Sequence, residues 1–509
     1  MTLLSRVTGL VRELFIATMF GASAMTDAFN VAFRIPNLFR RFFADGAFSQ
    51  AFVPVLAASK IQDGDKETCE LINQTASILA WAVMVLSLIG IALAPFLVWV
   101  MASGLNQNPR SFDVAVVLTR WMFPYISFMS LVALGAGVLN TWRHFAVPAV
   151  TPVLLNVSII LVAALLAPEF EKVSFEPIYA LGIGVLIGGI SQLGLQIIAL
   201  KKLGLMPRIY WKWKDLNDSW KSSGTQKIIL LMGPAILGVS VAHISMIINT
   251  QIASHLPSGS VSWVTYADRL MEFPSALLGV ALGVVLIPQL SKARANGDTK
   301  EYSNMLDWGL RIVVLLASPC AIALLVFAKP LVSVIFHYGV MSTFDIDQIT
   351  FALMGWGVGL IGIIAVKVLA PAYYAAQDTK TPVKIAVVVL VLTQVLNFFW
   401  VPIFAHAALT LSIGIGALVN AAWLLMGLIK SGTYKPADGW IRFLCQVILG
   451  NLCLAGVLFW INGLVDWTEM TNQKTVRVGY VFMTLAVSAF IYFLVLSLSG
   501  FKLRVFMRR

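Results

Sequence analysis

Residues 78–100 read ILAWAVMVLSLIGIALAPFLVWV, and residues 480–498 read YVFMTLAVSAFIYFLVLSL, without a charge in either run. An α-helix needs about 20 such residues to cross the hydrocarbon core of a bilayer. A segment in lipid must satisfy its own backbone polar groups, which leaves helices or a closed barrel. Barrel strands alternate apolar and polar residues over about 10 positions, and these runs do not alternate. Comparable runs recur from end to end of the 509 residues, of which 59% are hydrophobic and 12% charged. A soluble chain would carry about twice that charged share. The sequence therefore predicts an all-α polytopic membrane protein, and fourteen spans can be drawn along it.

Charge in the loops sets the orientation. With the N-terminus cytoplasmic, the loops on that side and the C-terminus hold 22 lysines and arginines, against 5 on the other side. Positive loops stay inside, so both termini are expected to be cytoplasmic, with the chain multi-pass in a bacterial cytoplasmic (inner) membrane. The same bias accounts for most of the net charge of +12, and no nucleic-acid partner is needed. Four cysteines and five histidines show no metal-ligand spacing, so no metal is expected. Arg6, Arg12 and Glu13 interrupt the run before GASAM, so no cleavable signal peptide is expected. The longest loop, Lys201 to Lys227, interleaves Tyr210, Trp211, Trp213 and Trp220 with lysines. That mixture suits a headgroup interface, and it reads as an interfacial linker rather than a specific binding element.

The chain repeats. AFVPVLAASKIQDGDKE resembles VVLIPQLSKARANGDTKE, with Pro54 matching Pro288 at an offset of 234 residues. Pro148 after VLNTWRHFAV and Pro382 after YYAAQDTKT give 234 again. Six spans separate equivalent points, so the halves are expected to be parallel repeats with the substrate between them. The expected organisation is an N-terminal six-helix lobe (1–200), a cytoplasmic interfacial linker (201–225), a C-terminal six-helix lobe (226–430) and two extra helices (439–500). By the same offset the first helix should begin before Met1, so roughly a dozen residues are expected to be absent from this N-terminus.

Several charges fall inside the spans. A cation at mid-bilayer costs roughly 2.5–3.5 kcal/mol on the mildest scale, so such residues need a watery cavity or a partner. Asp27, Arg34 and Arg41 lie seven apart and share one helix face with about 20° drift per step. Asn37 and Asp45 extend that face, Arg40 adjoins it, and Pro36 falls within it. The eighth span carries Asp268, Arg269 and Glu272, with Pro274 just beyond. Arg311 and Arg120 lie near span ends, where their heads can snorkel to water. For the acids, ion pairs that staple helices and a role at a cavity both stand open. The arginines Arg6, Arg12, Arg34, Arg40, Arg41 and Arg269 outnumber the nearby acids. Guanidinium forks bind phosphate oxygens bidentately at any relevant pH, so the expected substrate head is anionic, a phosphate or pyrophosphate.

The stretches SRVTGLVREL, TDAFNVAFRIPNLFRRFFADGAFSQAFVPVL, MGPAILGVS, SGSVSWVTYADRLMEFPSALLGVALGVVLIPQLSK and KVLAPAYYAAQDTKTPVKIA closely resemble lipid II flippases of the MviN/MurJ type. The likeness covers nearly the whole chain and weakens after about Lys430. It implies the fourteen-helix fold of the multidrug/oligosaccharidyl-lipid/polysaccharide exporter superfamily. It also implies outward transport of undecaprenyl-pyrophosphate-linked disaccharide-pentapeptide, lipid II, for peptidoglycan synthesis. Functional arginines of that family match Arg6, Arg12, Arg41 and Arg269. Its cavity acid matches Asp27, a polar position matches Asn37, and a cavity serine matches Ser262. Its last two helices, falling on Gly439–Gly500, imply a groove for the polyprenyl tail.

The implied partners are lipid II and membrane lipids, with room for cell-wall synthesis proteins. No cofactor and no covalent chemistry are expected; transport would proceed by alternating access. A coupling ion and the membrane potential, about 2.3 kcal/mol per charge per 100 mV, are both compatible with the sequence. A cation-coupled multidrug exporter of the same superfamily is the alternative, and it would favour acids over arginines. An enzyme of lipid-linked sugars would need clustered carboxylates or histidines. A structural scaffold would not need buried arginines.

Overall fold

The computed structural model describes the backbone of residues 2–40 and 47–501, and the side chains of these except 2, 3, 47, 234–242, 280, 281, 284, 471 and 472. Every regular element among them is helical. Two compact units divide at Val261 and Ser262.

The first unit holds α1 (Thr2–Phe20), α2 (Ala24–Arg40), α3 (Ala47–Gln62), α4 (Asp65–Ala92), α5 (Ala94–Ala102), α6 (Pro109–Met122), α7 (Tyr125–Thr141), α8 (Ala146–Lys172), α9 (Tyr179–Lys202), α10 (Trp213–Lys221) and α11 (Ser223–Ser254). Next, α12 (Ser260–Ala295) leads into the second unit: α13 (Thr299–Val326), α14 (Ala328–Phe336), α15 (Thr343–Ala375), α16 (Lys380–Phe404), α17 (His406–Lys430), α18 (Trp440–Leu464) and α19 (Lys474–Leu498). Ten segments among the described residues are long and apolar enough to cross a membrane: α4, α6 with α7, α8, α9, α13 and α15 to α19. Of the remaining long segments, α1, α2 and α12 carry the charges picked out above.

The repeat extends to helix boundaries. An offset of 234 carries both ends of α4 onto α13 and both ends of α5 onto α14. It also carries the start of α6 and the end of α7 onto the two ends of α15. Pro124 marks where the first unit breaks this helix and the second does not. Proline has no N–H to donate and its ring crowds the preceding turn; at the equivalent position α15 has Val358 and runs through. The turns that follow are also equivalent. Arg143 and Gln377 adopt positive φ, 61° and 60°, where an L side chain is crowded. Each sits inside a 6→1 helix-closing bond, His144 N to Leu139 O at 2.8 Å and Asp378 N to Tyr373 O at 3.0 Å, the pattern of a Schellman end. Asp378 Oδ1 then accepts from the amides of Lys380 and Thr381 and starts α16. The Thr381 side chain first, and then the Thr381 amide, hold the Asp378 carboxyl below the usual range.

Small residues allow a close helix approach in the second unit. A Cβ on Gly359 of α15 would lie 2.1 Å from Gly414 Cα of α17, so both backbones meet without side chains between them. The last two helices pack on α13 through Phe443, Val447, Leu454, Leu458, Tyr492 and Leu496, with Leu315 and Phe327 facing them. A polar hub locks the entry to this pair. Asp307 accepts from Arg311 Nε (2.7 Å), Tyr434 Oη (2.9 Å), Ala437 N (3.0 Å) and Trp440 Nε1 (2.6 Å). Burial, and then the Asp307 bond, push the Tyr434 phenol well above its usual pKa. The guanidinium of Arg311 also donates to Asp438 O and lies over the Trp440 ring. Arg311 is thus an i,i+4 ion-pair partner in a built joint. Arg477, in the first turn of α19, is fully buried; it donates to His337 O at 3.1 Å and lies over the Tyr338 ring.

Candidate functional site

In the first unit the expected site residues lie on α1 and α2. Ser23 starts α2 by accepting from the Thr26 amide. Asp27 follows in the first turn, where a negative charge is stabilised by the helix dipole. It is buried, and its Oδ2 accepts from Gly259 N at 2.7 Å. Two helical turns on, Arg34 donates from Nη1 to Thr250 Oγ1 of α11 at 2.7 Å. The charged face of α2 is therefore turned to the end of α11 and the turn after it. Asn37 donates to Phe33 O one turn back and accepts from Arg40 Nε at 3.2 Å, so it orients the Arg40 head. Arg41 and Asp45 lie outside the described residues.

Arg6 is exposed and Arg12 is buried on α1. Arg12 donates from Nη1 to Asn156 Oδ1 of α8 at 3.0 Å and pairs through Nη2 with Glu13. Its guanidinium lies 5.5 Å from the Phe33 ring centroid. Asn156 in turn donates to Thr8 Oγ1 at 3.1 Å. Arg12 is thus held in a network joining α1 to α8. Glu13 and Asn156 are members of that network that the sequence expectations do not include. The acid adjacent to a span arginine was a usable signal for Glu13, whereas Asn156 lies 144 residues away and local spacing could not find it.

In the second unit, Ser262 is fully buried in the first turn of α12. Asp268 and Arg269 are half-buried. Arg269 Nη1 pairs with Glu272 Oε2 at 2.9 Å, with 35% and 45% of the two side chains exposed. A pair this open is worth little by itself, about 0–1 kcal/mol when solvated. Lys367 reaches from α15 and donates to Ser275 O at 2.9 Å, just past Pro274. Beside the site, Trp263 Nε1 donates to Asp345 Oδ1 at 2.9 Å, which fixes the start of α12 against the capping box of α15. Among the described residues no group of three or more His, Cys, Asp or Glu could hold a metal ion.

Each unit therefore holds guanidinium groups on helices that also carry acids, in an otherwise apolar chain. The model of the family described as lipid II flippase MurJ matches residues 16–477. The chain belongs to the lipid II flippase MurJ family. It is 50% identical over 510 residues to the lipid II flippase MurJ of Burkholderia cenocepacia, covering 100% of this chain and 97% of that protein. It is 38% identical over 475 residues to the probable lipid II flippase MurJ of Vibrio cholerae, covering 92% and 88%. Among solved structures it resembles a lipid II flippase MurJ in an inward closed conformation, with a TM-score of 0.80 over 98% and 97% of the two chains at 21% identity. An inward-facing multidrug resistance MATE family transporter of the MOP superfamily follows at a TM-score of 0.64 and 13% identity, over 86% and 96%. At these identities the structural likenesses establish the MurJ/MATE-like fold, and family membership rests on the sequence matches.

Proposed function

We propose that this chain is a lipid II flippase. It moves undecaprenyl-pyrophosphate-linked peptidoglycan precursor from the inner to the outer leaflet of the bacterial cytoplasmic membrane by alternating access. The observation that carries this reading is full-length similarity to a named lipid II flippase at 50% identity. The charges agree with it. Arg6, Arg34, Arg40, Arg41 and Arg269 supply guanidinium forks for the pyrophosphate, a geometry that suits phosphate oxygens. Arg12 acts from within its Glu13–Asn156 network. Asp27, Asn37, Ser262, Asp268 and Glu272 hold or exchange with these cations and shape the polar surface. The two helices after Gly439 offer an apolar surface to the polyprenyl tail. Fourteen crossings result when α1, α2 with α3, α11 and α12 also span, with both termini cytoplasmic. No cofactor and no covalent step are required of the protein, and the membrane potential or a coupling ion supplies direction.

The MATE-like fold keeps one rival in view, an exporter of cationic drugs. A cation-binding site would favour acids, and here arginines dominate the span charges. Purified protein separates the two. Lipid II should raise the unfolding temperature, undecaprenol without its phosphates should do so less, and cationic drugs should not. Stabilisation by cationic drugs alone would overturn the proposal.

A further inference from the structure

The loop between α9 and α11 is built to present one face outward. Arg208 N donates to Asn73 Oδ1 and Tyr210 N to Ser77 Oγ, both at 2.8 Å, while Trp81 Nε1 donates to Tyr210 O at 3.2 Å. The Tyr210 hydroxyl reaches the Glu70 carboxylate, and burial followed by that bond raises its pKa. These anchors fix the loop to one stretch of α4. Below it α4 carries Asp65, Lys66, Glu67 and Glu70; from Ile78 onward it is uncharged. The stretch from Asn73 to Trp81 is therefore where α4 passes from water into hydrocarbon, the level of the lipid headgroups.

α10 continues from this anchored strand. Asp215, Leu216 and Ser219 turn inward, and Trp220 O accepts from Gln226 of α11. The opposite face is open. Trp213 and Trp220 lie seven apart, so they share a face, and they are 81% and 49% exposed. Lys214 and Lys221, also seven apart, flank them, and all four point away from the buried side. Trp211, 71% exposed, packs edge-on against Trp81 and has Lys212 beside it. Large exposed aromatic rings interleaved with ammonium groups, held at headgroup depth, fit a surface that is apolar below and negatively charged above.

We propose that the exposed face of α10 with Trp211 and Lys212 binds the anionic headgroups of the membrane surface, so that acidic phospholipid docks this loop. The occupant is lipid rather than protein. The cations are lysines on flexible stems around indole rings, and chain connectivity holds the face beside α9 and α4, both long apolar helices.

The test uses the full-length chain with its four native cysteines replaced by alanine. Asn217→Cys, which sits between the two tryptophans, carries an environment-sensitive fluorophore. The protein is placed in nanodiscs of phosphatidylcholine, or of phosphatidylcholine with phosphatidylglycerol, and quenched by lipids spin-labelled near the headgroup. The proposal expects a blue-shifted label, quenched at least twofold more in the anionic discs. The triple change Lys212→Gln, Lys214→Gln, Lys221→Gln should erase that difference, because each lysine near an anionic surface contributes about fivefold in binding. Trp213→Ala with Trp220→Ala should lower quenching in both lipids. A label equally open to aqueous iodide in both discs would overturn the proposal, as would a triple variant that still prefers anionic lipid. Shielding seen only in native membranes, and in neither disc, would assign the face to a protein partner and overturn it as well.

Discussion

Replacing Asp307 should release the joint between α13 and the last two helices. The carboxylate is one acceptor pair for four donors: Oδ1 takes Tyr434, Ala437 and Trp440, and Oδ2 takes Arg311. Asp307→Asn keeps Oδ1 but turns an amide N–H₂ toward the guanidinium. One charge-assisted bond is lost, about 1.5 kcal/mol, or roughly tenfold in a local equilibrium. Asp307→Ala removes all four acceptor contacts. Arg311 retains the Asp438 carbonyl, but the buried Tyr434 hydroxyl and the Trp440 indole N–H are left without Asp307. The loss should be about 3 kcal/mol, or roughly a hundredfold, less than a sum of separate bonds because the group acts together. The Ala437 amide is itself one of the donors, so its hydrogen exchange reads the joint directly. Native-state exchange in lipid nanodiscs should quicken at residues 434–440 by roughly tenfold for Asn and a hundredfold for Ala, with α15 and α17 unaffected. Wild-type exchange at Ala437 in Asp307→Ala would show that Asp307 does not hold the joint, and so would equal effects of the two variants.

Three further outcomes follow from other parts of the molecule. Arg12→Ala removes the guanidinium that pairs with Glu13 and donates to Asn156, which should cost about 1.5–3 kcal/mol. Thermal unfolding should show that drop, and Arg12→Gln combined with Glu13→Gln should recover part of it; no recovery would mean the pair is not the cause. Gly359→Ala places a methyl 2.1 Å from Gly414 Cα and 2.7 Å from its carbonyl, so the two helices must separate at about 3 kcal/mol, the upper range for overpacking; an unchanged unfolding temperature would show that the backbones are not in contact. Burial, then Arg477 and Lys329, hold the His337 imidazole below its usual pKa. The unfolded ring takes a proton as pH falls through about 6.5 while the folded ring resists it, so stability is full above that pH and declines below it, and His337→Gln should flatten the decline between about pH 6.5 and 5.

Much of this architecture was legible because lipid imposes simple rules. The uncharged run at Ile78–Val100 spans α4 and α5, and the 234-residue offset read from four prolines recurs at helix ends. Pro124 divides α6 from α7, yet the two together still form one apolar segment long enough to cross a membrane. Arg311 was read as a snorkelling cation. Its partner Asp307 stood four residues before it, an i,i+4 pair visible in the sequence, but Tyr434 and Trp440 are more than 120 residues away. Loop charge alone sets Arg477 in the outer loop before α19, yet it is fully buried. A charge at a helix start can face either water or a carbonyl cluster, and only the fold decides between them. The site residues divide the same way. Asp27 and Arg34 share a face, as their spacing demands, whereas the tie from Arg12 to Asn156 depends on how α1 meets α8.

The most direct test of the flippase reading is to deplete this protein in its host and add an impermeant lipid II hydrolase outside the cells. Wild-type protein or a well-expressed Arg269→Ala variant is then supplied back, in a strain without a redundant transporter. Hydrolase-accessible lipid II should fall on depletion, return with wild type and not return with Arg269→Ala. Accessibility unchanged by depletion would contradict the flippase reading.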